Sequence, residues 1–402
     1  MSASDLQAKV QAVADEATKD PHAATGVVGT VLYAADKDGK ELAHVSSGVL
    51  EVGKPEPISK DTAFWIASCT KLVTAIAVLQ LVEQNKLSLQ DDAAKYCPQL
   101  AKLSMTDGSS PKKTPTVWNL VTHTCGVQYH FFNEKTLEWS EKNGVNAFDF
   151  GQNALDTPYA YEPGTKWEYG LGMDWAGQVV EAVSGLSLND YFQKNIFAPL
   201  GIKDISFLPE SSGLRPRLIP MHQRDLTTNK VAPSDRWTPT EDAKIELHSG
   251  GGGLFATAAE YAKILVALLN KGTHPTTGGT ILKPETVDEL VKPQLEGSLE
   301  QDLYKALEPT QPKFSRTIPA LIAPGLPTQW AIGGVLNTVP IPPIGRSEQA
   351  LSWCGIINTF WWIDFADGSC GITMGQVGPF LDAGMMQLCG QFEALVHQAL
   401  KK

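Results

Sequence analysis

The feature that most constrains this chain is a separation: strand-forming segments lie near its two ends, and a long helical stretch lies between them. Residues 26–33 read as a buried strand, and a turn at Asp36-Lys-Asp-Gly39 leads to a second strand running from residue 41 to about 50. Strand character then fades until residues 329–337, 350–364 and 369–376. Helical periodicity marks residues 5–18, the segment from Ser68 to about Lys86, residues 175–183 and a final amphipathic segment at 384–400. This order predicts an α/β (α+β) fold with one sheet assembled from distant chain segments. The expected division is a discontinuous sheet domain of residues 1–67 and 246–402 and a mainly helical domain of residues 68–245, with the functional cleft between them.

A chain of 402 residues can bury a large core, and with 43% hydrophobic and 19% charged residues it is globular in composition. Its net charge of -11 disfavours nucleic acid and anionic membrane surfaces as partners. The first nineteen residues alternate small, acidic and basic types and read as a surface helix, not a signal peptide. No apolar run is long enough to span a bilayer. The six cysteines form no Cys-x-x-Cys pair and have no histidine cluster beside them, so reduced thiols in the cytoplasm, no metal and no cofactor are the expectation.

Three segments carry candidate chemistry. Ser68-Cys-Thr-Lys71 follows an apolar approach and opens a helix. A serine there sits at the positive end of the helix dipole, where an alkoxide and a developing oxyanion are favoured, and a lysine three residues on lies one turn along the same face. The spacing alone is weak, because Ser109 with Lys112 and Ser110 with Lys113 match it in a loop containing Pro111. The ordinary alternatives are a helix N-cap for Ser68 and a solvated side chain for Lys71.

In the second segment Tyr169 lies on a turn rich in glycine and aromatics, where its phenol can relay a proton; the alternative is a core aromatic. The third, residues 351–364, reads as a strand with Gly355 inside it. Glycine weakens a strand unless something approaches closely, and a substrate carbonyl facing a backbone N–H opposite that of Ser68 is one such thing.

Together these segments resemble the serine β-lactamase and penicillin-binding-protein superfamily, in its class C-like esterase and transesterase branch. Ser68-Cys-Thr-Lys71, Tyr169-Gly-Leu and Trp353-Cys-Gly355 are similar to its three motifs. Leu120-Val-Thr-His-Thr-Cys-Gly126 and the glycine-rich run 248–257 resemble two further landmarks. Within the branch, residues 167–177 and 330–334 are similar to fungal acyltransferases of polyketide pathways, of the type that acylates monacolin J. The resemblance implies a β-lactamase-like fold, a central antiparallel sheet flanked by helices with an inserted helical lobe. It implies Ser68 as nucleophile, Lys71 as base, Tyr169 as proton relay, and the N–H groups of Ser68 and Ile356 as oxyanion hole. Tyr129, Trp167, Trp353, Cys354 and Gly355 are implied to bind substrate.

Two departures matter: Leu171 stands where lactamases carry asparagine, and the third motif lacks Lys-Thr. Both argue against antibiotic and peptidoglycan substrates, since Trp353 offers apolar surface where a cation would pair with a carboxylate.

The expected reaction is acyl transfer through an acyl-enzyme on Ser68, from an apolar ester or thioester to water or an alcohol acceptor, as carboxylesterase or transesterase of secondary metabolism. Lys71 has to be neutral to act as base, so activity is expected to rise toward mildly alkaline pH. Trp139, Trp167, Trp353, Phe131 and Phe132 are candidates for an apolar cleft, with roughly half expected to be packing residues. Three alternatives remain: a β-lactamase or D-alanyl peptidase-type amide hydrolase, a catalytically inactive binding member of the fold, and, from other folds, an α/β-hydrolase or metallohydrolase. The last has little support, as neither Gly-x-Ser-x-Gly nor His-Glu-x-x-His occurs.

Overall fold

Seven strands from the two ends of the chain assemble one antiparallel sheet in the computed structural model, which describes residues 3–318 and 326–401. The principal elements in chain order are α1 (Ala3–Thr18), β1 (Gly29–Asp36), β2 (Glu41–Gly48), α2 (Thr70–Glu83), α3 (Gly172–Ser184), α4 (Ala258–Leu269), β3 (Thr328–Ala331), β4 (Gly334–Asn337), β5 (Leu351–Gly355), β6 (Thr359–Asp364), β7 (Ser369–Met374) and α5 (Ala383–Leu400). The sheet order is β2-β1-β7-β6-β5-β4-β3, so β1 pairs with β7 across more than three hundred residues, with Val31 opposite Met374 and Asp36 opposite Ser369. Interior strands such as β1 and β7 are buried almost throughout, whereas β2 at the edge buries only every second residue, Ala43, Val45 and Ser47. Helices α1 and α5 cover one face and α4 packs on β1 and β7.

Two predicted strands are in fact hairpins. Residues 329–337 divide into β3 and β4 around Ile332 and Gly333, and residues 350–364 divide into β5 and β6 around Ile356–Asn358. Asn358 makes the second turn: it adopts φ 64°, and its N–H donates to the Gly355 carbonyl at 2.9 Å. Asparagine tolerates this left-handed conformation better than most residues, a signal that an apolar run on both sides of it obscures.

Helix α2 also departs from expectation. Every residue from Thr70 through Leu81 is buried, so the helix has no solvent face. It packs against α3, and the turn before it packs against β5. A helix enclosed all round is a rigid platform for whatever stands at its N-terminus.

Candidate active site

Ser68 lies in the single tight turn Ala67–Cys69 that runs directly into α2. Two features hold this turn. Ala67 takes φ 44°, a left-handed conformation rare for a residue with a side chain, of the kind that collects at functional sites. Gly355 approaches from β5, and a Cβ there would lie 2.6 Å from the Ile66 carbonyl oxygen. The backbone of the serine turn is therefore a close neighbour that by itself requires glycine in this strand. Ser68 is not an N-cap: that position belongs to Cys69, and no side-chain capping bond is made.

Lys71 is 4% exposed and makes three contacts through its Nζ atom. Ser68 Oγ and the Tyr129 hydroxyl each lie at 3.0 Å, and the Gly251 carbonyl accepts a hydrogen bond at 2.6 Å. Burial lowers its pKa from 10.5 to about 7, against the opposing pull of Asp174. A neutral amine has two N–H groups and one lone pair. With one N–H on the Gly251 carbonyl and the other on Tyr129, the lone pair faces Ser68, the arrangement a general base requires.

Tyr169 is buried and brackets Lys71 from another side, its ring centroid 4.7 Å from Nζ. Burial drives its phenol well above the ordinary value, opposed by hydrogen bonding with Ser68 and Trp353, so it stays protonated near neutrality. The Trp353 indole N–H donates to the Tyr169 hydroxyl at 3.1 Å, which leaves the phenol proton free to point toward Ser68. Trp353 thus holds a polar group in place as well as offering an apolar face. Behind Tyr169 stands His123, at φ 57° with its ring 4.5 Å away; its carbonyl accepts from the Glu168 N–H and its Nδ1 from the Gly170 N–H. Burial, reinforced by Lys71, holds this imidazole well below its usual pKa and hence neutral.

Asp174 and Gly251 lie inside segments singled out by their motifs, but their pairing escapes a reading by motif. Asp174, 2% exposed in the first turn of α3, accepts from the Ser249 hydroxyl and from the Gly251 N–H, the latter at 3.2 Å. It therefore fixes the loop whose carbonyl grips Lys71. Gly251 has to be glycine, since a Cβ there would sit 2.3 Å from Asp174 Oδ2. The loop is tied to α2 as well, through the Thr74 hydroxyl on the Gly250 carbonyl at 2.7 Å. An aspartate within the apolar first turns of the helix, Gly172-Met-Asp-Trp-Ala-Gly177, was the available signal for this arrangement.

A cavity of ≈ 330 Å³ opens over Ser68, lined by Tyr129, Phe131, Phe132, Tyr169, Asp174, Trp353, Cys354 and Ile356 among others. Phe131 stacks on Tyr129 at 4.8 Å and on Phe148 at 5.3 Å, so the side next to Lys71 is an aromatic wall. Three expected members are elsewhere. Trp167 is 1% exposed and packs behind His123 and Trp330, and Trp139 does not line the cavity. Gly355 also lies behind the wall, against Ile66. All six cysteines are free thiols.

The beta-lactamase family model matches residues 13–380. The chain belongs to the beta-lactamase family. It is 32% identical over 377 residues to a lovastatin esterase of Penicillium rubens, spanning 89% of this chain and 91% of that one. It is 28% identical to a monacolin J acid methylbutanoyltransferase of Aspergillus terreus, with 92% of each chain covered. A solved simvastatin synthase variant from Aspergillus terreus superimposes with a TM-score of 0.82 at 26% identity, over 99% of this chain and 96% of that one. The fold is β-lactamase-like, and the protein is an ester hydrolase or transesterase that works by serine acyl transfer on small-molecule substrates. The amide-hydrolase and inactive-member alternatives are not favoured. None of the described helices is long and apolar enough to cross a membrane.

Proposed function

We propose that Ser68 is the nucleophile of this family member, Lys71 its general base and Tyr169 its proton relay. The observation that carries this reading is the buried Lys71 Nζ, 3.0 Å from Ser68 Oγ with a pKa lowered to about 7. In the first step Ser68 Oγ attacks the ester carbonyl and its proton passes to the Lys71 lone pair. The resulting oxyanion is held by the N–H groups of Ser68 and Ile356, two residues that line the same cavity. As the tetrahedral intermediate collapses, the C–O bond to the leaving alcohol breaks and that oxygen takes a proton from Tyr169, which Lys71 replenishes. Water or an acceptor alcohol reverses the sequence in the second half-reaction and frees Ser68.

Tyr129 serves Lys71 directly in this scheme, and Trp353 orients Tyr169 while forming cavity wall with Cys354. The site works where a sheet portion, residues 1–67 and 246–402, meets a helical portion, residues 68–245. The aromatic walls and the relatives' named activities support apolar secondary-metabolite esters, or acyl thioesters, as donors and a bulky alcohol as acceptor. The test is release of nitrophenol from nitrophenyl esters by the wild type and by Ser68→Ala, with and without a bulky alcohol. Loss of turnover in Ser68→Ala with an acylated alcohol among wild-type products supports a transesterase. Equal turnover by both proteins refutes the assignment of Ser68.

A further inference from the structure

The cavity over Ser68 continues past the aromatic basin. It turns around the end of β5, where side chains alternate between the two faces of the sheet. Trp353 faces the helical side with Tyr169, whereas Ser352 and Cys354 point to the opposite face, and both line the same cavity. Beyond Cys354 the space runs between α5 and the segment that connects β4 to β5, with Ile341, Ile344 and Met386 along it. Ile341 and Ile344 are only half-buried and Met386 is 39% exposed, so the arm holds apolar surface left uncovered by the described residues.

Gly390 keeps the arm open. It lies within helix α5, where glycine is unfavourable by roughly 0.5–1 kcal/mol relative to alanine. Among the described residues, and apart from its own helix backbone and chain neighbours, the only heavy atom within 4 Å of the Cβ it lacks is Ile344 Cγ2, at 3.8 Å. The far end is closed by Arg346, whose guanidinium binds both Glu393 oxygens, at 2.6 and 2.8 Å, and the Ser352 hydroxyl at 2.9 Å. Because this pair neutralises itself, the end of the arm offers no uncompensated charge to an anionic head group.

We propose that this arm is a subsite for an extended aliphatic acyl chain of the donor, a reading that rests on Ser68 as the nucleophile. The sides of the site decide which half of the ester enters. The alcohol oxygen has to reach Lys71 and Tyr169, and Lys71 contacts Tyr129, which stacks on the Phe131 wall, so the alcohol occupies the aromatic basin. The acyl carbon's other substituent then leaves past Ile356 and Cys354 into the arm.

The experiment compares kcat/KM for nitrophenyl octanoate and nitrophenyl acetate in the wild type, Gly390→Phe and Ile344→Phe. A side chain at position 390 improves helix propensity, and turnover of the acetate ester reports whether each variant is folded. The wild type is expected to favour octanoate, and each variant to lower the octanoate-to-acetate ratio by about tenfold or more, the loss when roughly two methylene groups can no longer be buried. A ratio near unity in the wild type, or one that neither variant changes, overturns the arm. Turnover of both esters that survives Ser68→Ala overturns the assignment of the nucleophile instead, so the two failures are distinguishable.

Discussion

Substituting Asp174 by asparagine is expected to move the pH dependence of catalysis, and the structure gives the direction. An ordinary lysine is neutral in roughly one molecule out of three thousand at pH 7. Lys71, lowered from 10.5 to about 7, is neutral in about half, a difference of roughly 3.5 pH units or about 5 kcal/mol between its charged and uncharged forms. The wild-type kcat/KM is therefore expected to rise with pH and to reach half its plateau near pH 7, below the mildly alkaline rise that the residue types alone suggest. Burial is the main cause of the shift and the Asp174 carboxylate opposes it, since its negative charge favours the ammonium form. Asparagine keeps an oxygen for the Ser249 hydroxyl and the Gly251 N–H but removes that charge. The midpoint should then fall, leaving more neutral lysine at every pH on the acidic limb. Initial rates with a nitrophenyl ester from about pH 5 to about pH 9, fitted for the midpoint in both proteins, check this directly. A flat wild-type profile refutes Lys71 as the titrating base. A variant that loses activity with an unchanged midpoint refutes the electrostatic role of Asp174 and leaves it a structural tie.

Trp353→Phe keeps most of the aromatic wall but removes the N–H that holds the Tyr169 hydroxyl. We expect kcat to fall by about tenfold or more with KM little changed, measured by steady-state kinetics, because misdirecting the phenol affects proton transfer more than ground-state binding. A second expectation concerns stability. His397 is buried, and although burial disfavours its charge, Asp367 and Glu393 raise its pKa from 6.5 to about 9. A pKa raised on folding stabilises fully below the unfolded value and loses that contribution as pH climbs through about 9. Its maximum is about 3 kcal/mol, visible as a decline in denaturation midpoint between about pH 6.5 and 9 that His397→Gln should flatten.

Much of this site was legible in the sequence because its parts are local. Ser68 and Lys71 are one helical turn apart, so their contact needs only the helix, and Tyr169 announces itself by its glycine-flanked turn. What stayed hidden depends on chain crossings. The Gly251 carbonyl reaches Lys71 across 180 residues, and Asp174 holds that loop across 77. No periodicity encodes such pairings, because each is fixed by the packing of α2 against α3 and of the glycine-rich loop against both. The two hairpins were missed for a different reason. Strands buried on both faces lose the alternation that marks a boundary, so Asn358 and the Gly333-Gly334 pair stood as weak breaks within largely apolar runs.

Trp167 shows the converse error. Its aromatic type and the family resemblance put it in the cleft, yet in the structure it is buried against His123 and Trp330. Trp167 is spent on enclosing His123, and His123 in turn supports the tyrosine turn through its carbonyl and its neutral ring. The site is thus a nested arrangement: Ser68, Lys71 and Tyr169 at the cavity, Tyr129, Asp174, Gly251 and Trp353 fixing their atoms, and His123 and Trp167 fixing the backbone behind. The burial this arrangement gives Lys71 is the condition under which a lysine amine can rest uncharged beside a serine hydroxyl at neutral pH.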